Sequence, residues 1–208
     1  MKRLTLYLVT AVLGAAFSAA SAGDVDALAK GCNDCHGPGG VSQSSDVPSL
    51  AGLPEFVHSD ALYVYRDEER PCTESKYRHG DTTRPATSMC AVAAKLSDDD
   101  IDAIAAAYAA LPYVKMTQEF DATLASAGKA LHDEHCDQCH SDAGTNADDE
   151  AGMLGGQGMD YLRTSFKQFA DDTRGQPKKM KEKFDMLSEA DLEGLDLEAL
   201  VHYYGSIQ

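Results

Sequence analysis

The chain has 208 residues and a formal net charge of −16, with 34 acidic side chains against 18 basic ones. That balance excludes electrostatic binding to nucleic acid. It suits a partner with a basic docking surface, in an association that salt weakens.

Residues 1–22 read as an export signal: Lys2 and Arg3 form a basic start, Leu4 to Phe17 an apolar stretch, and the small residues up to Ala22 a cleavage site. The apolar stretch is shorter than the ~20 residues that span a bilayer, and no later segment is apolar enough to do so. Loss of Lys2 and Arg3 with the signal leaves the mature chain at −18, two units below the −16 of the whole.

The remainder is one plan written twice. A short helix over Val25 to Lys30 is expected to enter Cys32-Asn-Asp-Cys-His36, and one over Phe120 to His132 to enter Cys136-Asp-Gln-Cys-His140. Each motif is followed by a Gly-rich stretch with a similar turn, Leu50-Ala-Gly52 and Leu154-Gly-Gly156. Met89 then stands seven residues before Leu96-Ser-Asp-Asp-Asp100, and Met180 seven before Leu187-Ser-Glu-Ala-Asp191. Ser97 with Asp100, and Ser188 with Asp191, have capping-box spacing. Final helices should follow, with Ile101, Ile104, Ala105 and Tyr108 on one face and Leu197, Leu200, Val201 and Tyr204 on the other copy's face. Asp191–Leu195 and Asp196–Leu200 look like a five-residue duplication, and Gly194 is expected to break the element between them. The expected fold is all-α: domain 1 over 23–112, a linker over 113–120 and domain 2 over 121–208, in an approximate twofold relation.

Cys-x-x-Cys-His is the attachment motif of c-type haem. Cysteines three apart share a helical face and can form thioethers with two vinyl groups, while the adjacent histidine offers its imidazole to iron. A redox disulfide does not require the trailing histidine, and a zinc site needs further ligands at matched spacing. Two motifs at equivalent places make two covalently bound haem c groups the expected cofactors, on Cys32, Cys35 and His36 and on Cys136, Cys139 and His140. A thioether opposite histidine would raise the potential and close the iron to substrates. Met89 and Met180 are the candidates from their matching positions, with Met186 the competitor to Met180; Met116, Met153 and Met159 fit the repeat less well. His58, His79 and His202 have no counterpart in the other copy, and His132 and His135 lie on the proximal side. The two remaining cysteines, Cys72 and Cys90, either form a disulfide, as export favours, or leave a thiol or thiolate beside the first haem.

On these motifs, turns, methionines and Leu-Ser-x-x-Asp segments, the chain resembles the cytochrome c4 family of dihaem class I cytochromes c over residues 24–208. The resemblance implies ligation by His36 with Met89 and His140 with Met180, and electron transfer in the periplasm. It also implies that a proline carbonyl steadies the proximal histidine; Pro48 is the candidate, and Gly152 stands nearest to that position in the second copy. The chain is similar as well to the dihaem subunit of flavocytochrome c sulfide dehydrogenases, with Lys178–Phe184 and His202–Tyr204 compatible. The expected function is a non-enzymatic electron carrier serving redox proteins such as a flavoprotein or a membrane-bound oxidase. The alternatives are an enzyme's cytochrome subunit, and a catalytic dihaem peroxidase or thiosulfate-oxidising enzyme with an open or cysteinate sixth position.

Overall fold

A computed structural model of the protein describes residues 22–190 and 195–208. Most of the expected export signal therefore lies outside the described residues, as do Asp191 and Gly194. Among the described residues, regular structure is almost entirely helical, and no helix is long and apolar enough to cross a membrane.

The first half consists of α1 (Ala22–His36), α2 (Glu55–Arg66), α3 (Met89–Ala93) and α4 (Asp98–Ala109). The second consists of α5 (Ala122–His135), a short turn α6 (Ser141–Gly144), α7 (Met159–Ala170), α8 (Lys178–Ala190) and α9 (Leu195–Gly205). Within each half the last helix packs on the motif-bearing one, α4 on α1 and α9 on α5. The middle helix completes the layer, α2 against α4 and α7 against α9.

Helix α4 begins as its sequence dictates. Ser97 Oγ accepts from the Asp100 N–H at 3.2 Å, and the Asp100 carboxylate accepts from the Ser97 N–H at 2.9 Å. Three acidic residues in its first turn complement the helix dipole. Ile101, Ile104, Ala105 and Tyr108 are all buried, and each isoleucine contributes roughly 1.5–3 kcal/mol through burial. In α9, Leu200, Val201 and Tyr204 are buried, with Leu197 packed at the edge of the same core.

The second copy departs from expectation before that helix. Residues around Leu187 do not open a new helix; α8 already runs from Lys178 to Ala190. Lys178 pairs with Glu182 and Lys181 with Asp185 along it, at 3.8 and 2.9 Å. Phe184 and Leu187 are buried, and the Phe184 ring packs 5.4 Å from Phe169 and 5.8 Å from Phe166. The helix thus gains both surface pairs and an apolar face, which overrides a stop before Leu187. The first copy uses its corresponding stretch differently, pairing β1 (Glu74–Ser75) with β2 (Thr87–Ser88) in a two-residue antiparallel ladder.

Residues 112–121 have no regular structure, yet they are tied to the second half. Tyr113 donates its hydroxyl to the Gly155 carbonyl at 2.7 Å, Met116 its N–H to the Gly156 carbonyl at 2.8 Å, and Gln118 its amide to the Gln157 carbonyl at 2.8 Å.

The contact of α5 with α9 is close because Gly128 has no side chain: a methyl there would overlap the Ala199 carbonyl and the Tyr203 Cβ. Gly31, exposed in α1, has open space around the same position. Gly128→Ala is therefore expected to cost about 1–3 kcal/mol and lower Tm by several degrees. Gly31→Ala should leave Tm unchanged or raise it, since alanine loses less entropy in a helix. Equal thermal unfolding of the two variants would contradict this packing.

Candidate functional site: two Cys-x-x-Cys-His turns

Cys32, Cys35 and His36 occupy the last turns of α1, which stays helical through His36, so the two thiols share one face as expected. The second motif differs. Helix α5 ends at His135, and the N–H groups of both Cys136 and Asp137 donate to the His132 carbonyl, at 2.8 and 2.9 Å. That doubled bond widens the last turn and takes Cys136–His140 off the regular ladder. The motif still closes as a turn, with the His140 N–H donating to the Cys136 carbonyl at 3.0 Å.

All four motif cysteines lie outside disulfides. Burial pushes the thiols of Cys32, Cys35 and Cys136 up, the reverse of the depressed nucleophile of a redox Cys-x-x-Cys.

The two histidines are held alike. His36 Nδ1 lies 2.8 Å from the Pro48 carbonyl, and His140 Nδ1 lies 3.0 Å from the Gly152 carbonyl. The second copy therefore makes this contact without a proline, because the backbone oxygen is what it needs. With Nδ1 engaged as a donor, Nε2 is the nitrogen left to meet a metal, the arrangement expected of an iron-ligating imidazole. Burial pushes both imidazoles below their usual range, although the carbonyl opposes the shift.

The loops that supply these carbonyls are duplicates, their residue numbers differing by 104 as Cys32 and Cys136 do. Leu50 N–H donates to Gly40 O at 2.7 Å and Leu154 N–H to Gly144 O at 2.8 Å. Gly52 N–H and Gly156 N–H each donate at 2.9 Å to the carbonyl of the terminal-helix tyrosine, Tyr108 and Tyr204. Gly52 and Gly156 adopt φ of 75° and 83°, which side chains other than glycine rarely take.

Met89 is partly buried at the start of α3, where Ser88 Oγ caps the helix by accepting from the Ala91 N–H at 3.2 Å. Met180 stands in α8, not in a loop, and packs against the second core. Its competitor Met186 is 41% exposed. Met153 and Met159 are buried, and Met116 is partly so.

Cys72 and Cys90 form a disulfide, with Cα atoms 5.5 Å apart. That takes up the one sulfur that could have offered a cysteinate beside Met89. The loop it closes lies across the first motif: the N–H groups of Arg78 and His79 both donate to the Asp34 carbonyl at 2.9 Å. Arg84 pairs with the Asp34 carboxylate at 2.6 Å and stacks over Tyr77.

Two of the other histidines, His132 and His202, have structural partners. His132, 1% exposed, packs on Tyr203 and Tyr204, with Nδ1 2.9 Å from the Tyr204 hydroxyl. His202 Nδ1 accepts from the Asp121 N–H at 2.9 Å.

Sequence reasoning missed Arg70 and Arg174, which share the 104-residue offset and stack on equivalent rings. Arg70 lies 4.6 Å from the Tyr65 ring, and Arg174 lies 4.3 Å from the Phe169 ring. Arg70 is 6% exposed, its Nε has no hydrogen-bond partner, and neither arginine pairs with a carboxylate among the described residues. Tyr161 lies between them. Burial alone would raise its phenol, but the two guanidinium charges outweigh it and bring it down to about 7. One buried and one partly buried arginine, neither paired with a carboxylate among the described residues, fit a site for a cofactor that carries carboxylates.

No protein-family model matches the chain. A curated relative, the thiosulfate dehydrogenase electron acceptor of Stutzerimonas stutzeri, is 27% identical over 161 residues, covering 73% of this chain and 68% of the relative. The fold is similar to that of reduced recombinant cytochrome c4 from Pseudomonas stutzeri, with TM-score 0.68, 25% identity, and coverage of 91% of this chain and 100% of that one. It is similar too to cytochrome c4 of Acidithiobacillus ferrooxidans, with TM-score 0.66, 22% identity, and coverage of 85% and 99%. The thiosulfate dehydrogenase TsdBA of Marichromatium purpuratum matches with TM-score 0.65 and 23% identity over 85% of this chain but only 36% of its own.

Fold and paired motifs together define a dihaem c-type cytochrome, an electron-transfer protein with covalently bound haem c. Within that class its architecture is the two-domain, class I arrangement of cytochrome c4.

His58 gives this site a pH signature. Burial pushes its imidazole down to about 4, with the Leu50 carbonyl opposing and the His36 charge reinforcing the shift; its Nε2 has no partner. The unfolded chain takes up that proton near pH ~6.5, so the stabilisation is complete above ~6.5 and is lost as pH falls towards about 4. His58→Leu, the residue found at the equivalent position 162, should flatten the fall of Tm over that window. An unchanged slope would contradict the assignment.

Proposed function

We propose that the protein is a periplasmic carrier of single electrons whose two halves, 23–112 and 121–208, each hold one haem. Cys32 with Cys35, and Cys136 with Cys139, supply the thioether links. His36 and His140 are the proximal iron ligands, and Met89 and Met180 the sixth ligands. The observation that carries this reading is the pair of imidazoles, His36 buried and His140 partly so, each fixed through Nδ1 to a carbonyl twelve residues on, directly after a Cys-x-x-Cys pair. When bound, each haem supplies a one-electron Fe(III)/Fe(II) couple.

The chain's own residues do the rest. The Pro48 and Gly152 carbonyls hold the imidazoles in one tautomer and raise their basicity towards the metal. Arg70 and Arg174 are suited to receive the propionate carboxylates, which would neutralise one buried and one partly buried positive charge. The loop closed by Cys72–Cys90 limits the freedom of Met89, whereas Met180 gains the same restraint from α8 and the core.

The net charge of −16 favours a basic partner surface. A more specific role, accepting electrons from a sulfur-oxidising dehydrogenase, is favoured by the curated relative named as the electron acceptor of thiosulfate dehydrogenase.

Intact mass should exceed that of the polypeptide by two haems, and acid–acetone should leave the colour with the protein. The oxidised protein should show the weak red sulfur–iron charge-transfer band, with Met89→Ala and Met180→Ala each removing about half of it. A gain of one haem would contradict the dihaem reading, and loss of the band in Met186→Ala instead of Met180→Ala would overturn the second ligand. Mixed with a thiosulfate dehydrogenase and thiosulfate, the protein should be reduced at a rate that falls as salt is added; no reduction would remove the specific role.

A further inference from the structure

We propose that Gln157, in the second half, is a positioning residue for the proximal histidine of the first haem, acting through the Pro48–Ser49 peptide group. The inference rests on His36 being an iron ligand, as proposed above.

Gln157 is 1% exposed, and its carboxamide faces the backbone of Ser49, which is also 1% exposed. Its Oε1 accepts from the Ser49 N–H at 2.9 Å, and its Nε2 donates to the Ser49 carbonyl at 3.0 Å. The Ser49 N–H belongs to the same planar amide as the Pro48 carbonyl, the group 2.8 Å from His36 Nδ1. A continuous chain therefore runs from the His36 ring through one peptide group to Gln157 Oε1. Hydrogen bonds at both ends of an amide polarise one another, so the accepted N–H makes the Pro48 oxygen a better acceptor. A better acceptor gives the imidazole more anionic character, and a more basic ligand stabilises Fe(III) over Fe(II). Gln157 should thus hold the midpoint potential of the first haem down.

The device is built on one side only. The residue equivalent to Gln157 is Leu53, which has no amide to offer the Gly152–Met153 peptide beside His140. Further contacts fix Gln157 in place. Its own carbonyl accepts from Gln118 Nε2 at 2.8 Å, and its N–H donates to the Leu154 carbonyl at 3.2 Å. Alongside, the Tyr161 N–H donates to the Ser45 carbonyl at 2.8 Å, and Ser45 Oγ donates to the Asp160 carboxylate. The two halves are thereby held in the register that the amide pair requires.

The test compares the haem-loaded wild type with Gln157→Met and Gln157→Glu. Methionine matches the unbranched shape but removes the acceptor. Glutamate keeps an oxygen acceptor for the Ser49 N–H whether or not it is ionised. Both midpoints would be measured by redox titration, and exchange of the His36 and His140 Nδ1 protons by NMR of the reduced, 15N-histidine-labelled protein. Gln157→Met should raise the first midpoint and speed exchange at His36, while the second midpoint and His140 stay at wild-type values. Gln157→Glu should not raise the first midpoint. The proposal is overturned if Gln157→Met leaves both midpoints unchanged, shifts both together, or is matched by Gln157→Glu. A wild type lacking haem at His36 would instead bring down the underlying ligation reading, so the two failures are distinguishable.

Discussion

In the proposed reading both haem sites depend on one contact, the hydrogen bond from the imidazole of His36 or His140 to a backbone carbonyl twelve residues further on. An imidazole with both nitrogens free could rotate, and it would present either nitrogen to a metal. Binding Nδ1 to Pro48 O or Gly152 O fixes the ring and the tautomer together. The carbonyl can hold its place only because its loop is pinned at further points. The turn glycines, at φ of 75° and 83°, bring their N–H groups onto the Tyr108 and Tyr204 carbonyls. The terminal helix of each half thus sets the loop, the loop sets the imidazole, and the Cys-x-x-Cys pair lies one residue before it.

The two halves keep that chain of dependence and vary what lies on the opposite side. In the first, a disulfide-closed loop crosses the motif and anchors on Asp34. In the second, α8 carries Met180 into an aromatic core of Phe166, Phe169 and Phe184. A covalent tie in one half and apolar burial in the other are different solutions to restraining a methionine. The boundary between the halves is also asymmetric, since Gln157 reaches across to Ser49 whereas its counterpart Leu53 has no polar end. If Gln157 acts as proposed, the two haems would differ in potential.

The parts of this design that the residues reveal directly are those set by local chemistry. The first Cys-x-x-Cys-His, the Ser97–Asp100 capping box and the apolar face of α4 each depend on short-range spacing, and each stands where the spacing puts it. The Cys72–Cys90 pairing was legible because no other cysteine was left outside the motifs. Other features depend on tertiary context. Helix α8 runs on through Leu187 because Phe184 and Leu187 find Phe166 and Phe169, which lie far away in sequence. The second motif leaves the regular helix because one carbonyl, that of His132, accepts two donors. Arg70 and Arg174 carried a signal in their matching offset, but an isolated arginine usually lies at the surface, and only their stacking on equivalent rings with no carboxylate partner among the described residues marks these two. Gln157 carried none: a glutamine in a Gly-rich loop reads as solvated until Ser49 is placed opposite it.

The central claim is that both halves present the same pair of ligands to an iron, an oriented imidazole and a thioether sulfur. Iron X-ray absorption of the oxidised, haem-loaded protein measures this most directly, because it counts sulfur neighbours per iron. The account predicts one sulfur at bonding distance per iron, averaged over both haems. A count near one half would show that one half lacks its methionine, and a count near zero would contradict the claim for both.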